Sequence, residues 1–246
     1  MQKAYEEKYH DIETDHFWFK ARREFILKLF KETDRNSSIL DIGCSSGILL
    51  KELALNGFNP DHLYGLDISP EAISNCKSNG LKNAFVMDGH SPDFDQQFDI
   101  IVASDNLEHL KDDKLALKNW FNTLKPGGRL YVFVPAYMFL WSQHDEVNMH
   151  YRRYTKKELS RKLSEAGFRI ERTSYWNVTL FFPLYLKRKL NNLTKSKAEN
   201  IHGDIERIPT GNGLLLALLS LENKLLKSFN APFGVSTFCV AYKPRH

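Results

Sequence analysis

The sequence predicts an α/β fold, a mostly parallel, doubly wound sheet covered by helices on both faces. Three observations predict it. Short apolar runs alternate with helical patterns from about residue 38 to residue 176. The connections between them are short. The first apolar run ends in a glycine-rich turn that leads straight into a helical pattern.

Phe17, Ala21, Phe25 and Leu29 recur every four positions, with Trp18 beside them, so the chain opens on a helix. Ser38 to Ile42 is a buried strand, and Ile48 to Leu55 a helix closed by Asn56-Gly57. A second strand runs from His62 to Leu66. Ser69 as N-cap with Pro70 in the first turn opens a helix to about Asn79. Ala84 to Met87 and Phe98 to Ala103 are the third and fourth strands. Lys111 to Leu124 is a helix expected to stop at Pro126-Gly127-Gly128, with Glu108-His109 as candidate caps at its start. Arg129 to Val134 is the fifth strand. Thr155 and Glu158 form a capping box for a helix ending at Gly167, and Phe168 to Tyr175 is the sixth strand. Ser236 to Tyr242 is the seventh. Strands six and seven should be neighbours, so the stretch 177–234 between them is an insertion.

With 246 residues, 42% hydrophobic and 26% charged, the chain is neither low-complexity nor collagen-like. Cys44, Cys76 and Cys239 are odd in number and form no C-x-x-C pair, which argues against a disulfide framework or a cysteine zinc site. The N-terminus lacks the apolar stretch of a signal peptide, and no apolar run approaches a membrane span. A reduced, cytoplasmic compartment is expected.

The turn Asp41-Ile42-Gly43-Cys44-Ser45-Ser46-Gly47 lets a ligand approach the backbone closely. Asp67, at the end of the second strand, is an acid suited to a ribose diol. A nicotinamide dinucleotide would prefer G-x-G-x-x-G, and only the first glycine fits here. Asp41 would also disfavour a pyrophosphate, whereas a cofactor carrying an ammonium group would welcome its charge.

On these residues the sequence resembles the class I S-adenosylmethionine-dependent methyltransferases. ILDIGCSSG is similar to their first motif, with Ser45 where glycine is commoner, and LYGLDIS to the second. FVMDG, FDIIVASDNLEHL and LKPGGRLYVFVP follow in the family's order. The resemblance implies a Rossmann-like, seven-stranded sheet whose last strand is antiparallel. It implies S-adenosyl-L-methionine as cofactor. The implied cofactor-binding residues are Asp41, Gly43, Cys44, Ser45, Gly47, Asp67, Ile68, Asp88, Gly89, Ser104, Asp105 and Asn106. HFWFKARR looks like an N-terminal helical lid over 1–36, with Trp18 and Arg22 toward the cofactor; Arg22 and Arg23 are indistinguishable in sequence. The domain is then 37–246, carrying the helical insertion 177–234. HFWFKARR, H-x-R-R-Y-T and the insertion together look like bacterial methyltransferases of cell-surface and natural-product pathways.

Transfer to a hydroxyl needs a base. The candidates are His144, His150, Asp145 and His109, most of them in the loop after the fifth strand. Arg152, Arg153, Tyr154 and Trp141 are the candidate acceptor-binding residues, the arginines suiting an anionic acceptor. The alternative for this loop is a structural lid whose histidines and arginines pair with Asp145 and Glu146. His144-Asp145 with His150 is not a specific metal-ligand spacing, so no metal is expected.

The net charge of +4 is uneven. Residues 1–176 carry a net of −2, the insertion +4 and the tail +2. Lys187, Arg188, Lys189, Lys195, Lys197, Arg207, Lys224 and Lys227 lie in the insertion beside Phe181, Phe182, Leu184, Tyr185 and Leu186. Three readings of it stay open: a pocket cap, a dimer contact, or peripheral contact with the inner membrane surface. The expected function is methyl transfer, to oxygen before nitrogen or carbon, on a small or lipid-linked acceptor, by a monomer or homodimer. The alternatives are a nicotinamide-dependent oxidoreductase and a non-catalytic S-adenosylmethionine-binding protein. No nucleic-acid partner is expected, since the fourth-strand motif lacks the N/D-P-P-Y/F signature of many nucleic-acid amino-methylating enzymes.

Overall fold

The computed structural model describes residues 10, 12–194 and 207–245. Its strands are β1 (Ile39–Ile42), β2 (Leu63–Asp67), β3 (Asn83–Val86), β4 (Phe98–Ser104), β5 (Leu124–Pro135), β6 (Arg169–Trp176) and β7 (Ser236–Tyr242). They form one seven-stranded sheet in the order β3-β2-β1-β4-β5-β7-β6. β1 to β5 pair in parallel, and β7 runs antiparallel to both β5 and β6. The expected antiparallel last strand and its pairing with the sixth are both present.

Side-chain alternation along the strands builds two cores. Ile100, Val102, Tyr131, Phe133, Phe238 and Val240 point to one face. There they meet α1 (Phe17–Leu29), α2 (Ile48–Leu55), α3 (Pro70–Ser78) and α8 (Asn212–Leu225). Ile101, Ala103, Leu130, Val132, Cys239 and Ala241 point to the other, under α4 (Asp113–Thr123) and α6 (Lys156–Glu165). The short α5 (Gln143–Val147) lies in the loop after β5, and α7 (Phe181–Thr194) opens the insertion.

Local chemistry sets the boundaries. Ser69 Oγ accepts from the Ala72 amide at 3.2 Å, and Thr155 with Glu158 makes the full capping box of α6. One expectation needs correction. The cap of α4 is Asp112, whose carboxylate accepts from the Leu115 amide at 3.0 Å, while Glu108-His109 sits in a separate 3₁₀ turn, Leu107–His109. Pro126-Gly127-Gly128 follows the end of α4 at Thr123, as expected. It lies inside β5, where the register with β4 shifts between Phe98 and Ile100 and Gly127, at φ 84°, donates to the Lys243 carbonyl. The stretch between Leu124 and Arg129 has no register partner on β4, so a proline is tolerated there although β5 is an interior strand.

α8 packs on α1 through polar contacts as well as apolar ones. Asn212 Oδ1 accepts from the Phe17 amide at 2.8 Å, and Asn223 Nδ2 donates to the Ala21 carbonyl at 2.8 Å. Ser220 donates to Glu24 at 2.7 Å, and Trp176 Nε1 donates to Asn223 Oδ1 at 2.8 Å. Lys195 and Lys197, counted in the basic insertion, lie outside the described residues. Among the described residues no helix is long and apolar enough to cross a membrane.

Candidate active site

The strand order reverses at β1, between β2 and β4, so the loops after β1 and β4 meet beyond the carboxyl ends of the sheet. The Gly43 and Cys44 amides both donate to the Leu66 carbonyl, at 2.8 and 3.0 Å. Asp67 accepts from the Ser45 amide at 3.1 Å and from the Ser69 amide at 2.9 Å, which joins the turn to the start of α3. Gly43 has φ 76°, and a Cβ there would lie 2.2 Å from Asn106 Nδ2. Gly47 also has positive φ, and Ser45 adopts the same region at 49°. Cys44 is buried with its Sγ 3.7 Å from Cys76 Sγ; that contact, then burial, push its thiol well up.

Carboxyl groups crowd this turn. Asp41 is buried, and burial first, then Asp67 and Glu13, push its carboxyl up to about 7. Glu13 precedes α1, and its Oε2 accepts from Ser45 Oγ at 2.7 Å. Arg23 holds that segment: it donates to the carbonyls of Glu13 and Thr14, at 2.7 and 2.8 Å, and to Glu52 at 2.8 Å. Arg22 points elsewhere. It donates to Asp105 at 3.1 Å and to Ser236 at 2.9 Å, and its guanidinium lies 4.3 Å from the centre of the Trp176 ring. Trp18 meets the same ring edge-on at 5.3 Å. The two arginines that are equivalent in sequence therefore do different things.

Ser104, Asp105 and Asn106 line the end of β4. Asn106 Oδ1 is buried and meets no hydrogen-bond donor. Ile68 stands exposed beyond β2. Asp88 accepts from the amide and ring of His90, both at 2.9 Å, and a Cβ on buried Gly89 would lie 3.2 Å from Asn106 Oδ1. Five non-glycine residues among those described hold positive φ: Ser45, Asp105, Tyr137, Met149 and Asn177. Four of them immediately follow strands at this end of the sheet, and such conformations cost about 1–3 kcal/mol each, which is typical of loops shaped for a ligand. A cavity of about 550 Å³ at Ser38, Tyr64 and Lys125 lies at the opposite, amino end of the strands.

The loop after β5 forms a second cluster. Asp145 is fully buried; burial would raise its carboxyl, but the His150 hydrogen bond and Arg153 outweigh that and hold it far below the carboxylate range. Arg153 grips it with Nε on Oδ1 at 2.7 Å and Nη2 on Oδ2 at 3.0 Å, and His150 Nδ1 lies 2.9 Å from Oδ1. The Tyr151 amide donates to the Glu108 carbonyl at 2.8 Å, which draws this loop onto the 3₁₀ turn after β4. The His109 and His150 rings sit 4.5 Å apart at 83°, and the His144 ring 6.1 Å from His150. Burial, then His150, lower His109 to about 3, so it is neutral. Glu108 is fully buried with neither carboxylate oxygen meeting a donor, and burial, then Asp105, push it well up.

Not every expected acceptor residue faces this cluster. Arg153, expected to meet an anion, is buried on Asp145 and the Ala136 carbonyl. Arg152 pairs with Asp113 at 2.9 Å and donates to the Lys111 carbonyl. Tyr154 is buried with its hydroxyl on Asp113 at 2.9 Å. Trp141 is half-buried. The partners are Asp145 and Asp113, and Glu146 takes no part in these pairs. Glu13, Asp113, Trp176 and Ser236 carried no sequence signal of their own; the E-H pair at 108–109 did.

Residues 14–173 match the family model of a methyltransferase domain. The chain belongs to the methyltransferase domain family. Sheet order and the antiparallel β7 put this methyltransferase in the class I, S-adenosylmethionine-dependent group. It is similar to the ubiquinone biosynthesis O-methyltransferase of Marinobacter nauticus, 29% identical over 102 residues, covering 38% of this chain and 42% of the relative. That of Xylella fastidiosa is 32% identical over 101 residues, covering 38% and 40%. The chain thus spans about two fifths of the length of these curated relatives. In fold it is similar to a chain of the complex between the Haloferax volcanii Trm112 methyltransferase activator and a methyltransferase, with TM-score 0.66, 18% identity and coverage of 99% and 96%. The phosphoethanolamine N-methyltransferase 2 of Haemonchus contortus, solved with S-adenosyl-L-methionine, gives TM-score 0.58 and 19% identity over 91% of this chain and 52% of that one.

Proposed function

We propose that this methyltransferase transfers a methyl group from S-adenosyl-L-methionine to an oxygen of a small or lipid-linked acceptor. The observation that carries the reading is the pairing of the family match over 14–173 with a glycine turn crowded by carboxyls. The residues fit a cationic cofactor. Asp41, Asp67 and Glu13 concentrate negative charge at one turn, and Asn106 Oδ1 and Arg22 Nε are buried without partners. Asp67 would take the ribose diol, Asp41 and Glu13 would face the ammonium, and Arg22 the carboxylate. Trp18 and Arg22, on a helix held by Arg23, would exclude water as part of an N-terminal lid over 1–36. When bound, the cofactor supplies an activated methyl group, so the protein mainly aligns the acceptor with it.

The acceptor side is assigned to Glu108, His109, His144 and His150. Asn148 Nδ2 donates to the His144 carbonyl at 2.8 Å and lies 3.3 Å from His144 Nδ1, which leaves that ring protonated at Nε2. His150 is the reverse: Asp145 takes the proton of Nδ1 and leaves the Nε2 lone pair to receive or orient the acceptor hydroxyl. The sequence similarity to O-methyltransferases supports oxygen as the target.

A lipid-linked acceptor is supported by the exposed apolar face of the insertion. Leu214, Leu218, Leu221 and Leu225 share one side of α8 and Phe229 follows, with Lys224 and Lys227 nearby. Calorimetric titration with S-adenosyl-L-methionine tests the cofactor, and co-sedimentation with anionic vesicles tests the surface. Micromolar binding and salt-sensitive sedimentation are expected. No cofactor binding by folded protein overturns the main reading, and no sedimentation at low salt removes the membrane part.

A further inference from the structure

Glu108, His109 and His150 have one potential ligand atom each within 4.8 Å of one another. Sequence spacing hid this set, because its members come from two loops. Glu108 has no exposed surface, and both its carboxylate oxygens lack a donor. A buried carboxyl group without hydrogen-bond partners is strongly unfavourable, and pairing it with a cation would relieve that cost.

Both imidazoles are oriented from behind. His150 gives Nδ1 to Asp145 at 2.9 Å, and Asp145 is fixed by two bonds from buried Arg153. His109 is tied to the backbone of Asn148. Carboxylates and carbonyls in this position set the tautomer of metal-binding histidines and aim the other nitrogen at the ion. The rings stand perpendicular at 4.5 Å, converging without stacking.

We propose that Glu108, His109 and His150 bind a divalent transition-metal ion on the acceptor side of the active site. Two imidazole nitrogens and one carboxylate oxygen suit manganese, iron, cobalt or zinc better than magnesium or calcium, which favour all-oxygen shells. With the His150 Nε2 lone pair on the ion, the open coordination positions take over its part toward the acceptor: a hydroxyl bound there is oriented by the ion and loses its proton more readily. That last step rests on the acceptor-side reading above; the ligand set does not.

The test is direct binding to the full chain after chelator treatment, with Mn²⁺ followed by electron paramagnetic resonance and Co²⁺ by its visible absorption. One equivalent of Mn²⁺ should bind to the wild type and to the distant control His62→Ala. Glu108→Gln, His109→Ala and His150→Ala should each weaken binding at least tenfold. Co²⁺ should give visible bands that shift in His150→Ala. Circular dichroism checks that each variant is folded, and one folded ligand variant is enough to decide. No stoichiometric binding by the wild type, or unchanged affinity in the folded ligand variants, overturns the site. Stoichiometric binding with turnover indifferent to chelator keeps the site and overturns the acceptor-side role.

Discussion

Asp41→Asn isolates the charge held beneath the cofactor turn. The folded-state pKa of Asp41 is about 7 against an ordinary 3.8, with burial the main cause and Asp67 and Glu13 behind it. At about 1.4 kcal/mol per unit, the difference is worth roughly 4 kcal/mol. The sign follows from the raised value: the folded protein holds this proton more tightly, so the contribution is fully present below about pH 4 and is lost as pH rises through 7. From pH 5 to pH 8 the ligand-free protein should lose about 2–3 kcal/mol through this group alone. Asparagine cannot ionise, so the variant lacks that slope. Urea unfolding of both proteins at pH 5, 6, 7 and 8 reads the difference. The gap between the two should shrink or reverse in favour of the variant as pH rises. Parallel profiles from pH 5 to pH 8 would refute the argument. A cation bound beside Asp41 lowers its pKa again, so cofactor binding near pH 6.5 should release protons, seen as heats that differ between buffers of unlike ionisation enthalpy.

Gly43→Ala forces a Cβ toward Asn106 at a positive φ, so calorimetry should show at least a tenfold loss of cofactor affinity and urea unfolding a cost of about 1–3 kcal/mol. Arg22→Lys and Arg23→Lys should separate in the same two assays. The first weakens cofactor binding by roughly tenfold or more, whereas the second costs about 2–4 kcal/mol of stability by loosening the Glu13 and Thr14 carbonyls; equal effects in both assays would undo the assignment. His150→Ala should lower turnover by about a hundredfold with cofactor affinity within twofold, and His144→Ala by less than about tenfold. The reverse order in steady-state rates would reject the tautomer argument.

The sheet was legible because burial on two faces writes continuous apolar runs, and β7 appears over Ser236–Tyr242 as expected. Pro126-Gly127-Gly128 marked the end of α4, but β5 begins before it, at Leu124, because a strand irregularity is visible only against the partner strand. The cofactor turn was legible because its residues are adjacent in sequence. The proposed acceptor side was not: Glu108 and His150 are drawn together by the Tyr151 amide, which reaches the Glu108 carbonyl. Arg22 and Arg23 could not be distinguished because their partners, Ser236 and the Glu13 carbonyl, lie on opposite sides of them in the chain.

The clasp between α1 and the carboxyl-terminal third also has a temporal meaning. The partners of Phe17, Ala21 and Arg22 lie 195, 202 and 214 residues downstream. During synthesis at about 5–20 residues per second, roughly 10–40 seconds pass between the emergence of this helix and that of its partners. The glycine turn and the loops after β2 and β4 need only the first half of the chain, but Arg22 reaches Ser236 only when the last strand exists. A nascent chain therefore carries most of the residues proposed to hold the cofactor before α1 can dock beside them, and α1 waits exposed, a natural client for chaperones until synthesis ends.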